Sequence, residues 1–179
     1  MSVTDEVLKA NEMYAQNFTQ GHLSIPPARK LAVVACMDAR LIVSQILGLK
    51  AGDALIIRNA GGIVTEDVLR SLIISHHLGG TQGGTQEIII INHTDCGMLR
   101  FKDEELRAAL QKQTGTAVVA PAAFHAFTNL EENVRQQIQK VRAHPWVPKQ
   151  ISVRGFIYDV KTGRLKEVAE AHAASSRNA

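Results

Sequence analysis

Three short runs of apolar residues, rich in Val and Ile, stand out along the chain at 31–36, 54–58 and 87–92. Polar and glycine-containing segments separate them. Continuous apolar runs of this length are typical of strands that are covered on both faces, as in a parallel sheet. The pattern therefore predicts three buried, parallel strands.

Segments with the apolar spacing of helices lie around these runs. We predict helices over 5–18, 41–49, 65–78 and 124–143, with a further helical pattern after Met98. Thr65 is a suitable N-cap, because Glu66 and Asp67 follow it in the first turn. Strands that alternate with helices form a parallel sheet with right-handed crossovers.

The last part of the chain predicts the edge of the sheet. Residues 151–160 and 164–168 have strand character and are joined by a turn at Lys161, Thr162 and Gly163. The predicted fold is therefore α/β: a central, mostly parallel sheet of four strands plus an antiparallel edge strand, with helices on both faces.

Length and composition favour one domain. A chain of 179 residues with 45% hydrophobic content suits a single core over 1–179. We expect a helical arm over 1–27 and a flexible tail over 169–179. The arm is thinly apolar, which favours packing against a second subunit. The repeat GGTQGGTQ at 79–86 lacks the lysine of a phosphate loop, so we expect a surface loop there.

Charge and hydropathy exclude two classes of partner. The net charge is +3, without a cluster of Lys and Arg, so we expect no nucleic-acid partner. No run approaches the roughly 18 apolar residues that span a bilayer, so we expect no membrane partner. The polar, acidic start does not resemble a signal peptide. A cytoplasmic protein is expected.

Cys36 is the last residue of the first predicted strand, and His93 and Cys96 follow the third. The carboxyl ends of adjacent parallel strands meet at one edge of a sheet, where ligands bind. Two thiolates and an imidazole form a zinc site that still needs a fourth ligand. The spacing predicts one Zn²⁺ per chain, held by Cys36, His93 and Cys96.

Asp38 and Arg40 lie just beyond Cys36. Asp38 is placed either to accept a hydrogen bond from zinc-bound hydroxide or to bind zinc as the fourth ligand, which would give a non-catalytic zinc protein. A bidentate pair with Arg40 would hold Asp38 away from the metal. A thiol redox protein is the other alternative, but the chain has no Cys-x-x-Cys motif.

The end of the second predicted strand carries Asn59, Gly61 and Gly62. Glycines permit close backbone approach to a ligand, so these residues are predicted to line a substrate pocket, although a plain tight turn explains the same pattern.

Three short motifs resemble the β-class carbonic anhydrases: CMDAR at 36–40, RNAG at 58–61 and HTDCG at 93–97. The likeness runs from about Tyr14 to Val168. It implies that Cys36, His93 and Cys96 are zinc ligands, that Asp38 and Arg40 are the catalytic dyad, and that the chain forms a homodimer or homotetramer with its first helix across the partner.

The family resemblance implies a zinc enzyme that attacks a small, linear gas. The segments RNAGGIV, LIISHHL, HPWVP and VRGFIYDVKTGRL are similar to the compact branch that includes carbonyl sulfide hydrolases, and they favour hydrolysis of carbonyl sulfide to CO2 and H2S. Reversible hydration of CO2 is the alternative, because both gases would be attacked at carbon by the same nucleophile. Candidate proton-relay residues are His76, His77, His125 and His144.

Overall fold

The sheet in the computed structural model, which describes residues 1–80, 83–117 and 121–169, has the strand order β2-β1-β3-β4-β5. Strands β1 to β4 are parallel, and β5 is antiparallel to β4. The bounds are β1 Leu31–Cys36, β2 Ala54–Asn59, β3 Glu87–His93, β4 Ser152–Tyr158 and β5 Leu165–Glu167. The predicted α/β class and the antiparallel edge are confirmed.

The first helix precedes the first strand, and the other helices lie between the strands in the predicted order. Their bounds are α1 Val3–Gln16, α2 Val43–Ile46, α3 Glu66–His77, α4 Asp103–Thr114 and α5 Leu130–Ala143. Thr65 caps α3 as expected, since its side chain accepts a hydrogen bond from the Val68 N–H. Helix α1 begins earlier than predicted because Ser2 and Asp5 form a capping box.

Two predicted helices are too long. The helix predicted at 41–49 is only one turn, α2, and Gly48 beyond it has a φ of 63°. The first part of the prediction at 124–143 is wrong. The Asp103 carboxylate accepts hydrogen bonds of 2.7–3.0 Å from the backbone N–H groups of residues 124–126, which holds that segment in an irregular conformation. Helix α5 begins only after Asn129, which caps it.

Both faces of the sheet are covered. Helices α3 and α5 pack on one face in a core that contains Val34, Val68, Leu72, Ile90, Val134 and Ile138. Helix α2 packs on the other face, where Val43 joins Val33, Ala35 and Ile91. Because strand residues alternate between faces, β1 contributes to both cores. The first strand is therefore the buried centre of the fold.

The ends and loops differ from the core. Every residue of α1 is exposed. The tail predicted at 169–179 lies outside the described residues apart from Ala169, as do residues 81 and 82 of the predicted surface loop. The end of that loop is not on the surface: Thr85 is fully buried, and Gly84 packs against the backbone of His76.

None of the helices within 1–80, 83–117 and 121–169 has both the length and the apolar character that a membrane span requires. The cytoplasmic location stays a prediction.

Candidate metal centre

The carboxyl ends of β1 and β3 lie side by side and hold the three predicted metal ligands. Cys36 ends β1, His93 ends β3, and Cys96 precedes a short 3₁₀ turn at Gly97–Leu99. All three are buried, and one ligand atom from each lies within 4.8 Å of the others. The connection from β1 to β2 runs to one side of β1, and the connection from β2 to β3 crosses to its other side. Such a reversal of strand order is the usual position of a ligand site in these sheets.

The His93 side chain is oriented to bind a metal through Nε2. Its Nδ1 lies 2.9 Å from the Thr94 carbonyl oxygen. A carbonyl only accepts, so Nδ1 carries the proton and Nε2 keeps a free lone pair. Nε2 is buried and has no hydrogen-bond partner among the described residues. An unpaired buried nitrogen is unfavourable unless it has a ligand, and a cation satisfies it.

The two thiols are close enough to affect each other's ionisation. A hydrogen bond from Cys96 lowers the pKa of Cys36 despite burial, with His93 contributing in the same direction. The interaction with Cys36, together with burial, raises the pKa of Cys96. One thiolate is therefore favoured and a second is opposed. A divalent cation would favour both thiolates, and two sulfurs with one imidazole are a donor set suited to zinc.

Arg40 binds the Asp38 carboxylate in a bidentate ion pair. Its Nε donates to Oδ1 at 2.9 Å and its Nη2 to Oδ2 at 2.8 Å, and its backbone N–H also donates to Oδ1 at 2.9 Å. These bonds lower the pKa of Asp38, which is ionised at neutral pH. Asp38 Oδ2 lies 3.8 Å from His93 Nε2. A fixed carboxylate thus borders the three donor atoms.

Arg58 on β2 supports the segment that carries Cys36 and Asp38. Its Nε donates to the Cys36 carbonyl oxygen at 3.0 Å, and its Nη2 donates to the Asp38 carbonyl oxygen at 2.7 Å. This role of Arg58 was not predicted from the sequence. The available signal was a single arginine at the end of an otherwise apolar strand.

The glycine turn after β2 lies directly against the donors. Gly62 has a φ of 63°, and a Cβ there would lie 3.0 Å from the backbone of Ala35, Cys36 and Ile91. The Asn59 side chain closes this turn, because both of its amide atoms bond to the backbone of Ile63, at 2.7 and 2.8 Å. Substrate contact by Asn59, Gly61 and Gly62 stays a prediction.

Three buried amide side chains that the sequence analysis missed connect α5 to the glycine turn. Asn92 donates to the Gly61 carbonyl oxygen at 2.9 Å, Asn133 donates to Asn92 at 2.6 Å, and Gln137 donates to Asn133 at 2.9 Å. Gln137 also accepts from the Val64 N–H at 2.9 Å. Their signal in the sequence was two amides four residues apart among the apolar positions of α5.

The histidines predicted as a proton relay are dispersed. His76 Nδ1 lies 2.9 Å from the Thr85 carbonyl oxygen, which precedes β3 and so lies at the opposite end of the sheet from the donors. His144 Nδ1 accepts from the Trp146 N–H, at the end of α5. His125 is exposed, on the segment that Asp103 holds. Relay function stays a prediction.

Known proteins resemble most of the length of this chain. A family model described as carbonic anhydrase matches residues 31–165. Over 169 residues the chain is 47% identical to β-carbonic anhydrase 1 of Mycobacterium tuberculosis, which covers 94% of this chain and 99% of the relative. It is 35% identical over 185 residues to the carbon disulfide hydrolase of an Acidianus species, covering 91% and 87%.

Solved structures agree with the sequence comparisons. The carbonic anhydrase of Streptococcus mutans superposes with a TM-score of 0.85 at 43% identity, covering 94% of this chain and 99% of that one. A carbon disulfide hydrolase superposes with a TM-score of 0.64 at 33% identity. The match to the family model, the relatives and the shared fold show that this chain belongs to the β-carbonic anhydrase family.

Proposed function

We propose that this protein is a zinc enzyme that catalyses the reversible hydration of CO2 to bicarbonate. The observation that carries the proposal is the convergence of Cys36, His93 and Cys96 within 4.8 Å, beside an ionised carboxylate. The relative with 47% identity is named a carbonic anhydrase, which supports CO2 as the substrate.

Cys36, His93 and Cys96 would hold the ion through two sulfurs and Nε2. Zinc bound here would acidify a water molecule and so supply a nucleophile at neutral pH. Asp38 would accept a hydrogen bond from that water and direct its lone pair towards the substrate carbon. Arg40 would keep Asp38 ionised and prevent it from turning towards the ion, because it occupies both carboxylate oxygens, at 2.9 and 2.8 Å.

Hydrolysis of carbonyl sulfide is the second candidate, and its support is of two kinds. The sequence segments described above favour it, and a relative with 35% identity is named a carbon disulfide hydrolase. Carbonyl sulfide combines one C=O bond and one C=S bond, so it is chemically intermediate between CO2 and carbon disulfide. Its reaction with water would give CO2 and H2S. We place CO2 first because the relative named a β-carbonic anhydrase is 47% identical to this chain, whereas the relative named a carbon disulfide hydrolase is 35% identical.

One set of assays tests the function. We expect purified protein to contain about one zinc per chain by elemental analysis and to hydrate CO2 in a stopped-flow assay. Release of H2S from carbonyl sulfide, measured on the same preparation, decides between the two gases. Folded protein without near-stoichiometric zinc would refute the zinc site. Zinc without turnover of either gas would favour the non-catalytic protein in which Asp38 is the fourth ligand.

A pair of histidine variants links the metal to these residues. His93→Ala should lose zinc, because Nε2 has no other partner among the described residues. His22→Ala is the matched control, since its Nδ1 also lies near a carbonyl oxygen, that of Thr19, at 3.1 Å, but on the exposed N-terminal segment. Circular dichroism checks that both variants are folded. Equal zinc content in the two variants would contradict the assignment of His93.

A further inference from the structure

The carboxylate of Asp95 lies between two arginines. Arg40 donates from Nη1 to Asp95 Oδ2 at 2.9 Å and from Nη2 to the Asp95 carbonyl oxygen at 3.1 Å. Arg100 donates from Nη2 to Asp95 Oδ1 at 2.6 Å. Together with Asp38, these side chains form a row of alternating charge that leads from the metal donors outwards.

A second partner limits the orientations of the Arg40 side chain. That side chain is 46% exposed, so solvent competes for its donors. A guanidinium that is bound along two edges cannot rotate without breaking bonds to both partners. Asp38 occupies one edge of Arg40, and Asp95 occupies the other. Asp95 is therefore placed to restrict the direction from which Arg40 donates to Asp38.

The position of Asp95 is itself well defined by the backbone. Its φ is 54°, in the left-handed region, which Asp and Asn tolerate better than most residues. The preceding residue, Thr94, donates its N–H to the Tyr158 carbonyl oxygen at 2.9 Å. The bond from Arg40 to Asp95 thus joins the segment after β1 to the segment after β3. These segments directly follow Cys36 and His93, and the second one contains Cys96.

We propose that Asp95, supported by Arg100, is a positioning residue that orients Arg40 so that Arg40 holds the Asp38 carboxylate away from the metal position. The inference rests on the proposed function, in which Asp38 acts on the attacking water rather than as a ligand. Asp38 Oδ2 is already 3.8 Å from His93 Nε2, so a small rotation of a released carboxylate would bring it into coordination.

Asp95→Asn is the most informative variant. Asn keeps the shape of the side chain and tolerates the left-handed backbone, so the change removes mainly the charge and one acceptor. We expect kcat to fall roughly 10-fold, as is usual for residues that support a metal site. Arg100→Gln should have a smaller effect, because Arg100 reaches Arg40 only through Asp95. The matched control is Arg70→Gln, which breaks an Asp67–Arg70 pair of 2.9 Å on α3.

Visible absorption of the cobalt-substituted protein gives a readout that does not depend on turnover. Cobalt bands respond to coordination number and ligand type. We expect Asp95→Asn to change the spectrum because Asp38 gains access to the ion, and we expect this change to disappear when Asp38→Ala is also present. A purely structural role would leave the spectrum unchanged in both backgrounds, and that result would overturn the inference, as would a change that persists without Asp38.

The same measurements separate this inference from the proposed function. If the unmodified protein turns over neither gas but the spectrum still changes through Asp38, the positioning role stands and the catalytic assignment fails. The opposite result is an active unmodified protein, an inactive Asp38→Ala variant, and an Asp95→Asn variant with unaltered spectrum and kcat. In that case the catalytic assignment of Asp38 stands and the positioning role of Asp95 fails.

Discussion

Asp38 and Asp67 are both aspartates paired with a nearby arginine, yet their surroundings differ. Asp67 is an exposed residue at the start of α3, and its partner Arg70 lies one helical turn away. Asp38 has a side chain only 20% exposed and accepts three hydrogen bonds from Arg40. Only Asp38 borders the metal donors. Asp38 and Asp67 therefore allow a controlled comparison of one chemical group in two environments.

Asp38→Asn should reduce turnover strongly while zinc remains bound. The amide can still accept a hydrogen bond but carries no charge, so we expect kcat to fall roughly 100-fold or more. Asp67→Asn should leave kcat unchanged. Steady-state kinetics with elemental analysis of both variants provide the measurement. Full activity of Asp38→Asn, with zinc in place, would contradict the assigned role.

Gly62 and Gly115 share a left-handed backbone but differ in the space around them. The φ angles are 63° and 66°, and a Cβ at Gly115 would meet nothing within 4 Å, whereas one at Gly62 would press on backbone atoms at 3.0 Å. Those atoms belong to β1 and β3. Backbone in a central strand cannot yield as a flexible side chain can.

Gly62→Ala should therefore be the more destabilising of the two alanine substitutions. In both variants the unfavourable φ should lower the free energy of unfolding by about 1–2 kcal/mol. In Gly62→Ala, overpacking should lower it by about 1–3 kcal/mol more. Urea unfolding of the two variants measures the difference. Zinc content should also fall in Gly62→Ala, because Cys36 would be displaced. Equal unfolding free energies would show that the turn can relax.

At the scale of elements, the sequence predicted best what depends on neighbours along the chain. Strands β1 and β3 were recognised because each is a continuous apolar run, and α3 because Thr65 caps it. The segment at 124–129 was misassigned because its conformation depends on Asp103, which is remote in sequence. No local pattern carries that information.

The bonds from Asp103 to this segment make the stability depend on pH. Hydrogen bonds from the backbone of Ala126, His125 and Phe124 lower the pKa of Asp103 from its ordinary value of 3.8, against the effect of burial. A lowered pKa in the folded state means that the carboxylate stabilises the fold above about pH 4. This stabilisation is lost as the pH falls through the folded-state pKa.

Asp103→Asn should lower the melting temperature at pH 7, by an amount equivalent to about 1 kcal/mol. The difference from the unmodified protein should shrink as the pH falls below about 4, because the unmodified side chain becomes protonated as well. Glu104→Gln is the control, since it changes the charge of the same helical turn but makes none of the three bonds. Thermal unfolding followed across pH 3–7 gives the comparison. A difference independent of pH would contradict the ionic origin.

At the scale of the whole molecule, contacts within one chain do not explain the exposed apolar side chains of α1. None of its residues is buried, and it exposes apolar side chains that include Val7, Leu8, Met13 and Tyr14. A helix of 14 residues is only marginally stable alone in water. Packing against a second copy would explain both its apolar residues and its persistence. The homodimer or homotetramer expected from the sequence is proposed on this ground.

Light scattering during size-exclusion chromatography tests the assembly. We expect a mass larger than that of one chain, and we expect Leu8→Glu to shift the population towards the single chain, because a charge would be buried in the contact. Lys9→Glu, next to it on the same helix, should have little effect. A single-chain mass for the unmodified protein would contradict the assembly.

The donor set was predictable from sequence, whereas its supports were not. The convergence of Cys36, His93 and Cys96 was predicted because each lies at or just after a strand end, and the topology of a parallel sheet then places them together. Arg58 and the pairing of Asp95 with Arg100 depend on side-chain directions across strands. Sequence spacing does not determine such directions. The residues that converge at the candidate metal site are thus easier to identify from sequence than the residues that orient them.

The placement of the donors on two strands also affects folding. Cys36 and His93 end adjacent strands but are separated along the chain by β2 and α3. An ion that joins them would act as a reversible cross-link and close a long loop in the unfolded polypeptide. Removal of the ion by a chelator should consequently destabilise the pairing of the central strands in the order β2-β1-β3. The candidate metal site would then also stabilise the central strands of the fold.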